Sequence, residues 1–289
     1  MSKVSYFCRL INGIHKKTNT LDSIFHQPLK PYFNDMFATY ELKQIAEKIV
    51  PKKYLRVAGM QVLRATSFLY KGNAVTCPCC GHSFASFASY GYVKRPNVLC
   101  RHCLSLERHR SLWLYFHQKT NLFKDKLRVL HFAPEHQLQE KFKNAPNLDY
   151  ISADLDMPTA MIQMDITNIT FPDNAFDVII CNHVLEHVPD DHLAMSELYR
   201  VLKPGGWAIL QTPMSNKAET EEDLTITDPK ERERRFGQDD HVRTYGMDKK
   251  DRLESVGFKV DLDKFLYELP AATIAQYRLM LEDIWIVRK

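Results

Sequence analysis

From Leu127 onward, the chain alternates short apolar runs with segments of helical periodicity. The runs are five to seven residues long, which suits strands that lie buried in the middle of a parallel sheet. Strands that alternate with helices in this way are typical of α/β folds. The candidate strands are Arg128–Ala133, Tyr150–Asp154, Phe176–Cys181, Trp207–Gln211, Phe258–Leu262 and Ile284–Arg288.

A cysteine-rich segment precedes this region. Cys77 and Cys80 form one C-x2-C pair, and Cys100 and Cys103 form a second pair after a gap of 19 residues. This spacing is typical of zinc sites in which four thiolates complete a tetrahedron. Four protein ligands leave no open position for chemistry, so we predict a structural zinc ion bound by these four cysteines.

Other residues of the segment are expected to support that site. Gly81 suits the left-handed conformation that a knuckle between two thiolates needs. Cys79, His82 and His102 are expected not to bind the metal, because the four thiolates already fill the site. Aromatic and basic residues between the pairs can stack on nucleic-acid bases, but packing around the metal is favoured, since such ribbons have almost no core. These aromatic residues are Phe84, Phe87, Tyr90 and Tyr92.

Charge is distributed unevenly along the chain. Residues 1–126 contain 20 Lys+Arg and 6 Asp+Glu (net +14), and residues 127–289 contain 19 and 29 (net −10). The contrast suggests two modules and a polyanionic partner for the basic one, although a merely solvated basic face explains it equally well. No apolar run approaches the roughly 18 residues needed to span a bilayer, and the first residues lack a continuous apolar stretch. A cytoplasmic protein with reduced thiols is therefore expected.

These observations predict three regions. Residues 1–72 form a basic N-terminal helical region, and residues 73–126 form a zinc ribbon with a connecting helix. Residues 127–289 form the α/β domain, and residues 214–247 within it form a charged, flexible lid. Helices are predicted at Met36–Val50, Tyr54–Tyr70 and Leu106–Gln118, the last with Ser105 as its N-cap.

The most informative text lies between Asn174 and Pro213. A strand (FDVIIC) leads into NHVLEHV, and a helix N-capped by Asp190 then ends at KPGG before the strand WAIL. This text resembles the fourth strand, the following helix and the fifth strand of class I S-adenosylmethionine-dependent methyltransferases. The resemblance covers Leu127–Lys289. It implies a Rossmann-like, seven-stranded, mostly parallel sheet with an antiparallel last strand, and S-adenosylmethionine as the cofactor.

The string HVLEH, from His183 to His187, also fits the H-x-x-E-H pattern of metalloproteases. Both histidines of that pattern must lie on one helix face. Here the string directly follows a buried strand and precedes Pro189, which is poor context for such a helix. The protease interpretation is therefore disfavoured.

The resemblance also implies cofactor contacts. His131, Ala133 and Glu135 stand where the family has an acidic residue and two glycines after the first strand. The text VLHFAPE behind an N-terminal zinc ribbon resembles a subset of the family, so we interpret it as a variant. Ala133 is small enough to allow close approach of the cofactor, and Glu135 would pair with its ammonium group.

Further contacts follow by position. Asp154, with Leu155 beside it, ends the second strand, where a carboxylate accepts ribose hydroxyls. Asp165 is expected to bind the adenine amino group, and Ile166 is expected to pack on the ring. Asn182 follows the fourth strand and completes the set. The alternative is that these polar residues are ordinary solvated strand ends.

Two histidines are candidates for catalysis. A hydroxyl nucleophile needs a base, and histidine is the commonest one. His183 lies at the mouth of the sheet, and His241 lies in the text FGQDDHVRTYG, which resembles the same subset. Arg243 would hold an anionic group of the substrate and Tyr245 would line its pocket. The alternative for His241 and Arg243 is a lid hinge pinned by hydrogen bonds.

The predicted activity is O-methylation of a small-molecule or glycan-type acceptor, including anionic ones. The chain lacks an Asn/Asp-Pro-Pro-Tyr/Phe motif after the fourth strand, and Cys181 lies within a strand, which disfavours nucleobase amine and cytosine C5 methylation. Two alternatives stay open: an RNA methyltransferase whose ribbon captures the nucleic acid, and a non-catalytic methyltransferase-like scaffold. A homodimer is also compatible with the sequence.

Overall fold

The computed structural model describes residues 52–91 and 94–289. The predicted helix Met36–Val50 lies outside the described residues. The chain divides into two compact units, Met1–Val62 and Leu63–Lys289. Helix α1 spans Lys52–Ala65, so it ends five residues before the predicted limit, and residues Ser67–Tyr70 form a single 3-10 turn.

Residues 71–106, here called the cysteine ribbon, consist of two small hairpins. Strand β1 (Lys71–Thr76) pairs antiparallel with β2 (Ser83–Phe84), and β3 (Ala88–Tyr90) pairs antiparallel with β4 (Arg95–Leu99). Phe84 and Phe87 are each only 2% exposed, and they pack with cysteine side chains in one cluster. The structure thus confirms that these two aromatic residues pack around the cysteines rather than present a stacking surface.

Helix α2 spans Glu107–Gln118 and follows the ribbon directly. Its N-cap is Leu106, so the predicted cap at Ser105 is wrong. The Ser105 hydroxyl instead contacts the sulfurs of Cys77 at 3.0 Å and Cys103 at 3.3 Å. The backbone N–H of Leu106 donates to Nδ1 of His109 at 3.1 Å, so a histidine of the first turn satisfies this donor.

A seven-stranded sheet forms the centre of the unit. Its order is β12-β13-β9-β8-β5-β6-β7, and β13 runs antiparallel to both neighbours while the other pairings are parallel. This topology confirms the predicted Rossmann-like methyltransferase fold. The strands are β5 (Leu127–Phe132), β6 (Leu148–Asp154), β7 (Ile162–Gln163), β8 (Phe176–Cys181), β9 (Leu202–Ile209), β12 (Lys259–Asp263) and β13 (Ile284–Arg288); β10 (Glu221–Glu222) and β11 (Arg243–Thr244) pair separately.

Strand β9 begins at Leu202, five residues before the predicted start at Trp207. The KPGG text was expected to end the preceding helix, but it belongs to the strand, which it extends through a bulge. Gly205 has a φ of +79°, which favours glycine, and a Cβ on Gly206 would lie 2.8 Å from the carbonyl oxygen of Asp177. The two glycines therefore let β9 approach β8 closely.

Helices cover both faces of the sheet. On one face, strand residues such as Leu130 and Ile179 pack with side chains of α4 and α6, and on the other, Val129 and Val178 pack with α2, α3 and α7. This alternation of side chains is what buried strands require. The remaining helices are α3 (His136–Lys143), α4 (Asp191–Val201), α5 (Pro229–Phe236), α6 (Lys249–Ser255), α7 (Phe265–Glu268) and α8 (Ala271–Tyr277).

The ribbon is joined to the sheet by a buried arginine. Arg110 of α2 is 0% exposed and donates to the carbonyls of Val98, Ser105, Tyr277 and Arg278 at 2.7–2.9 Å. Its guanidinium therefore links β4, the start of α2 and the end of α8. Among the described helices, none is both long enough and apolar enough to cross a membrane.

Candidate functional site

A crevice of about 870 Å³ opens at the carboxyl ends of β5, β6 and β8. Ligands of open α/β sheets bind at this edge, because the loops that leave adjacent strands diverge there. Six of the predicted site residues line the crevice: Ala133, Asp154, Leu155, Asp165, Ile166 and His183. His187, Pro189, Asp190, Leu193 and Asp240 also line it. Leu193 of α4 is 45% exposed because it faces this opening.

Two residues at the rim adopt left-handed backbone conformations. Ala133, which directly follows β5, has a φ of +46°, and His183, two residues after β8, has a φ of +56°. This conformation is easily reached only by glycine, and it costs other residues on the order of 1 kcal/mol. Ala133 therefore keeps the backbone course of a glycine while adding only one methyl group.

The two crevice acids use one oxygen each to hold their own loops. Oδ1 of Asp154 accepts the backbone N–H groups of Asp156 and Met157 at 2.8 and 2.7 Å. Oδ1 of Asp165 accepts the N–H and the hydroxyl of Thr167, both at 2.8 Å. The second oxygen of each carboxylate has no hydrogen bond within the described part of the chain, so it can accept one from a ligand.

His131, Glu135 and Asn182 form a buried network beneath the crevice. His131 bonds to the Tyr150 hydroxyl at 2.9 Å and to Oε2 of Glu135 at 2.8 Å, and the Asn182 amide donates to Oε1 of Glu135 at 3.2 Å. Burial raises the pKa of Glu135, but the hydrogen bond and charge of His131 outweigh it and lower the pKa to about 2. Glu135 is therefore ionised.

This network encloses the side chain of His131. The side chain is fully buried and both ring nitrogens bond to protein atoms, so it lacks a surface for the predicted cofactor contact. Asn182 is 3% exposed, and its amide oxygen has no hydrogen-bond partner among the described residues. The buried acceptor of Asn182 is thus the part of the network that remains available.

His183 and Glu186 form a pair at the end of β8. Nδ1 of His183 lies 3.3 Å from Oε1 of Glu186, and the His183 side chain is 30% exposed while that of Glu186 is 1% exposed. Burial raises the pKa of Glu186, but the neighbouring imidazole of His183 outweighs this effect, so the pKa of Glu186 is lowered. A buried carboxylate at this distance orients the imidazole and leaves Nε2 free.

His241 lies beside this pair but behind the crevice wall. It is 2% exposed; Nδ1 bonds to the Phe236 carbonyl and Nε2 contacts the Gln238 amide nitrogen, both at 2.9 Å. Burial lowers its pKa. Its ring packs edge-to-face on His187 at 4.7 Å, and Nδ1 of His187 lies 3.3 Å from Oδ2 of Asp240. The hydrogen-bonded setting of His241 matches the alternative of a pinned lid hinge.

Arg243 and Tyr245 have partners other than those predicted. Both are 0% exposed. Arg243 donates to the carbonyls of Leu185 at 2.7 Å and Pro189 at 2.8 Å, and it pairs with Glu222. The Tyr245 hydroxyl donates to Asp191 at 2.6 Å. Neither side chain has surface on which a substrate could lie, and together they tie the lid to the turn after β8 and to α4.

The four predicted cysteines come together in the ribbon. The sulfurs of Cys77 and Cys103 lie 3.5 Å apart, and those of Cys80 and Cys100 lie 3.7 Å apart. Four thiolates at about 2.3 Å from one zinc ion would be about 3.75 Å apart, so this spacing fits the ion and is far too long for a disulfide. Hydrogen bonds from the Cys100 and Cys103 thiols lower the pKa of Cys77.

The knuckle residues behave as their sequence suggested. Gly81 has a φ of +75°, and its N–H donates to the Cys77 carbonyl at 2.8 Å. Leu104 takes the same role in the second knuckle with a φ of +64°. Cys79 lies outside the sulfur cluster, and its thiol contacts the His109 carbonyl at 3.6 Å.

Sequence reasoning missed three residues near the crevice. Glu186 and His187 were noticed only as part of the disfavoured HVLEH pattern, which assumed a helix. Lys249 is fully buried, donates to the Leu210 carbonyl at 2.7 Å and the Thr212 hydroxyl at 2.8 Å, and has a pKa lowered by burial to about 7. No local pattern marks Lys249, because its burial depends on how α6 packs.

Comparison with known proteins assigns a class to this region. Residues 128–210 match a family described as a methyltransferase domain. The matched segment runs from β5 to the strand end of β9, so it carries most of the crevice rim. This segment is therefore similar to methyltransferase domains.

Individual relatives match over short segments. The chain is 35% identical over 71 residues to a demethylmenaquinone methyltransferase of Staphylococcus carnosus (strain TM300), which covers 25% of each protein. It is 44% identical over 45 residues to the ubiquinone/menaquinone biosynthesis C-methyltransferase of Pseudoalteromonas translucida (strain TAC 125), over 16% of this chain and 18% of that protein. The chain thus spans about a quarter or less of these relatives.

A solved structure is similar to a larger part of the chain, at lower sequence identity. The crystal structure of an S-adenosylmethionine dependent methyltransferase from Mesorhizobium loti has a TM-score of 0.42 and 15% sequence identity to this chain. The superposition covers 61% of this chain and 97% of that one.

Proposed function

We propose that the protein is an S-adenosylmethionine-dependent O-methyltransferase that acts on a small-molecule or glycan-type acceptor. The observation that carries this proposal is that one crevice joins a nucleoside-type set of acids, Asp154 and Asp165, to a histidine that a buried carboxylate orients. A methyltransferase-class segment forms that crevice.

The residues present fit the cofactor. The free oxygen of Asp154 would accept the ribose hydroxyls, that of Asp165 would accept the adenine amino group, and Ile166 would pack on the ring. The amide oxygen of Asn182, buried without a partner in the described residues, suits an ammonium group. When bound, S-adenosylmethionine supplies an activated methyl group on a sulfonium ion.

The task of the protein is then to position the acceptor and remove its proton. Nε2 of His183 would accept the proton of the acceptor hydroxyl, and the charge of Glu186 would stabilise the resulting imidazolium. Glu135 already pairs with His131, so its predicted contact with the cofactor ammonium would add to an existing pair. His241 is the weaker candidate for the base, since both of its nitrogens have protein partners.

The names of the relatives favour a small molecule over RNA. One is named a demethylmenaquinone methyltransferase and another a ubiquinone/menaquinone biosynthesis C-methyltransferase, and neither name refers to RNA. In the ribbon, Phe84 and Phe87 are buried, so they are not available to stack on RNA bases. Because one relative is named a C-methyltransferase, methylation at carbon is the second candidate.

We also propose that the ribbon binds one structural zinc ion through Cys77, Cys80, Cys100 and Cys103. The sulfur spacing supports this, since it already approaches that of a zinc-bound tetrahedron.

Cofactor binding is tested with the conservative variant Asp154→Asn. The variant keeps an oxygen for the N–H groups of Asp156 and Met157 but removes the charge and one acceptor. Calorimetry with S-adenosylhomocysteine should show affinity reduced by at least ~10-fold. Asp149→Asn, at the other end of β6, is the matched control and should bind as the wild type does. Equal binding by Asp154→Asn and wild type would exclude the proposed ribose contact.

The base is tested with His183→Gln. Labelled-methyl transfer into fractionated cell extract first identifies whether the label enters small metabolites, glycan, lipid or RNA. With that acceptor, the transfer rate of His183→Gln should fall about 10²–10⁴-fold while cofactor affinity stays unchanged. His136→Gln, an exposed histidine of α3, is the control. Label on a carbon, or an undiminished rate, would exclude His183 as the base for O-methylation.

A further inference from the structure

We propose that Glu186, His187 and His241 form a second metal site, which binds a divalent first-row transition metal in the wall of the crevice. One candidate ligand atom from each residue lies within 4.8 Å of the other two. Donors around a zinc ion with bonds of 2.0–2.1 Å are about 3.3 Å apart, so small side-chain rotations would close the site. This cluster shares no residue with the four cysteines.

Glu186 is the observation that points to a cation. Its side chain is 1% exposed, and neither carboxylate oxygen makes a hydrogen bond within the described residues. The imidazole of His183 lies beside it, with Nδ1 at 3.3 Å from Oε1. A buried carboxylate without hydrogen bonds is costly unless a cation accompanies it.

His241 already has the orientation of a metal ligand. The Phe236 carbonyl can only accept a hydrogen bond, so Nδ1 of His241 carries the proton and Nε2 carries the lone pair. Metal-binding histidines usually donate their other N–H in this way. The Gln238 amide that now contacts Nε2 is on the lid and would move aside.

His187 completes the set on the side of the crevice. Asp240 lies 3.3 Å from Nδ1 of His187, which favours the tautomer that leaves Nε2 unprotonated. His187 and Asp240 line the crevice, whereas Glu186 and His241 are enclosed behind it. A bound metal ion would therefore have its open coordination positions toward the crevice.

The backbone around the site is held on both sides. Glu186 and His187 lie in the turn after β8, and His241 lies on the lid. Arg243 joins these segments, since it is fixed on the lid and donates to the Leu185 and Pro189 carbonyls on either side of the turn. The ligands are thus placed by buried hydrogen bonds rather than by flexible surface loops, as a preorganised site requires.

The donor set selects the class of metal. Two imidazoles and one carboxylate are typical of zinc in hydrolases and of iron(II) in oxygenases. Mg²⁺ and Ca²⁺ prefer oxygen donors and bind imidazole poorly. If the proposed O-methylation is correct, the metal could hold the acceptor oxygen beside His183, and this consequence alone rests on the proposed function.

Zinc stoichiometry tests the site without any use of methyl transfer. The full chain is loaded with excess Zn²⁺, passed through a desalting column and analysed for metal per chain. We expect two zinc ions in the wild type and one in His187→Gln, whose side chain is 32% exposed. Titration with Zn²⁺ should show affinity at the second site reduced at least ~100-fold in that variant. His192→Gln, an exposed histidine of α4, should retain two.

Glu186→Gln and His241→Gln provide the second test, and their circular dichroism must match the wild type for the result to count. Both should also bind one zinc ion. Co²⁺ added to zinc-loaded His187→Gln should give no new absorption, whereas in wild-type protein with the second site emptied it should give the weak bands of nitrogen and oxygen ligands. A wild type that holds only one zinc ion at saturation, or a His187→Gln variant that holds two, would overturn the proposal. If two ions bind but S-adenosylhomocysteine does not, the metal site stands and the proposed function falls.

Discussion

The cysteine ribbon and the surroundings of the crevice differ in whether their buried polar groups have partners. In the ribbon, the thiols lie against one another, and the carbonyls of Val98 and Ser105 accept hydrogen bonds from the buried guanidinium of Arg110. Around the crevice, the amide oxygen of Asn182 beneath it and both oxygens of Glu186 behind it lack hydrogen bonds within the described residues. An unpaired buried polar atom costs about 1–3 kcal/mol.

This difference separates what maintains the structure from what can bind. In the ribbon, a ligand other than the metal held by the thiols would find no unpaired buried side-chain nitrogen or oxygen among the described residues, so it would add little stability. A rim with unpaired acceptors and left-handed backbone at Ala133 and His183 is stabilised when a ligand supplies the missing partners. The comparison thus favours the ribbon as scaffold and the rim as binding site.

The largest expected effect is loss of the ribbon metal. Cys100→Ser removes one of four thiolates, and we expect zinc content to fall by one ion per chain and the free energy of unfolding to fall by about 5 kcal/mol or more. Metal analysis and urea unfolding measure both. Cys79→Ser, outside the sulfur cluster, is the control and should keep the ion. A Cys100→Ser variant with wild-type stability would break the comparison, since the ribbon would then not depend on its thiolates.

The next effect concerns the joint between ribbon and sheet. Arg110→Met keeps most of the side-chain volume but leaves four carbonyls without their charged donor, and it should cost about 4 kcal/mol in urea unfolding. Arg110→Lys keeps a charge and up to three donors, so it should lose roughly half as much. If Arg110→Met costs under about 1 kcal/mol, pairing within the ribbon is not what joins it to the sheet.

Much of this fold follows from local sequence patterns. Four of the six predicted strands match the structure to within one residue at each end, since buried strands need continuous apolar runs and these are visible in the text. A fifth, β6, begins two residues early. Strand β7 was missed because two residues carry no periodicity. The start of β9 was missed because Pro204, Gly205 and Gly206 are typical of turns, and only pairing with β8 makes them a strand.

The site was predictable where chemistry depends on spacing along the chain. The cysteine pairs come together because a tight turn fixes the distance between their thiols, and Asp154 and Asp165 reach one crevice because each follows a parallel strand. The lid text FGQDDHVRTYG shows no periodicity, so sequence could not reveal that Arg243 and Tyr245 point inward. Their burial results from contacts with the turn after β8, which lies over fifty residues away.

A third prediction concerns the pH dependence of stability at His109, in the helix that directly follows the ribbon. Burial lowers the pKa of His109, at the start of α2, to about 4. Its Nδ1 accepts the Leu106 N–H, so protonation there would break the bond that caps the helix. The folded state therefore binds the proton less well than the unfolded chain, whose histidine titrates near 6.5. The contribution of His109 to the free energy of unfolding is fully present above pH 6.5, and it falls by about 3 kcal/mol as the pH drops to 4.

Urea unfolding between pH 7 and pH 4 measures this effect, and His109→Gln is the variant that isolates it. Glutamine can still accept the Leu106 N–H but does not titrate in this range, so its stability should fall less steeply between pH 6.5 and pH 4. Glu135, whose folded pKa is lowered to about 2, contributes its own loss only below about pH 4.5. Parallel curves for wild type and His109→Gln would show that the helix cap does not depend on a neutral histidine.

The smallest effect tests backbone strain at the rim. Ala133→Gly should raise the free energy of unfolding by about 1 kcal/mol, since glycine adopts the φ of +46° without the clash that alanine suffers. Ala194→Gly, in the middle of α4, should instead lose about 1 kcal/mol or more. In the ribbon, Leu104→Gly would relieve a similar φ of +64°, but it would also remove a side chain that is only 6% exposed. The free energy of unfolding should therefore fall. The sign of the stability change in Ala133→Gly therefore decides between two explanations. A gain would show that the rim, unlike the ribbon, holds backbone strain that packing does not offset. A loss would show that the alanine methyl group contributes to the floor of the crevice.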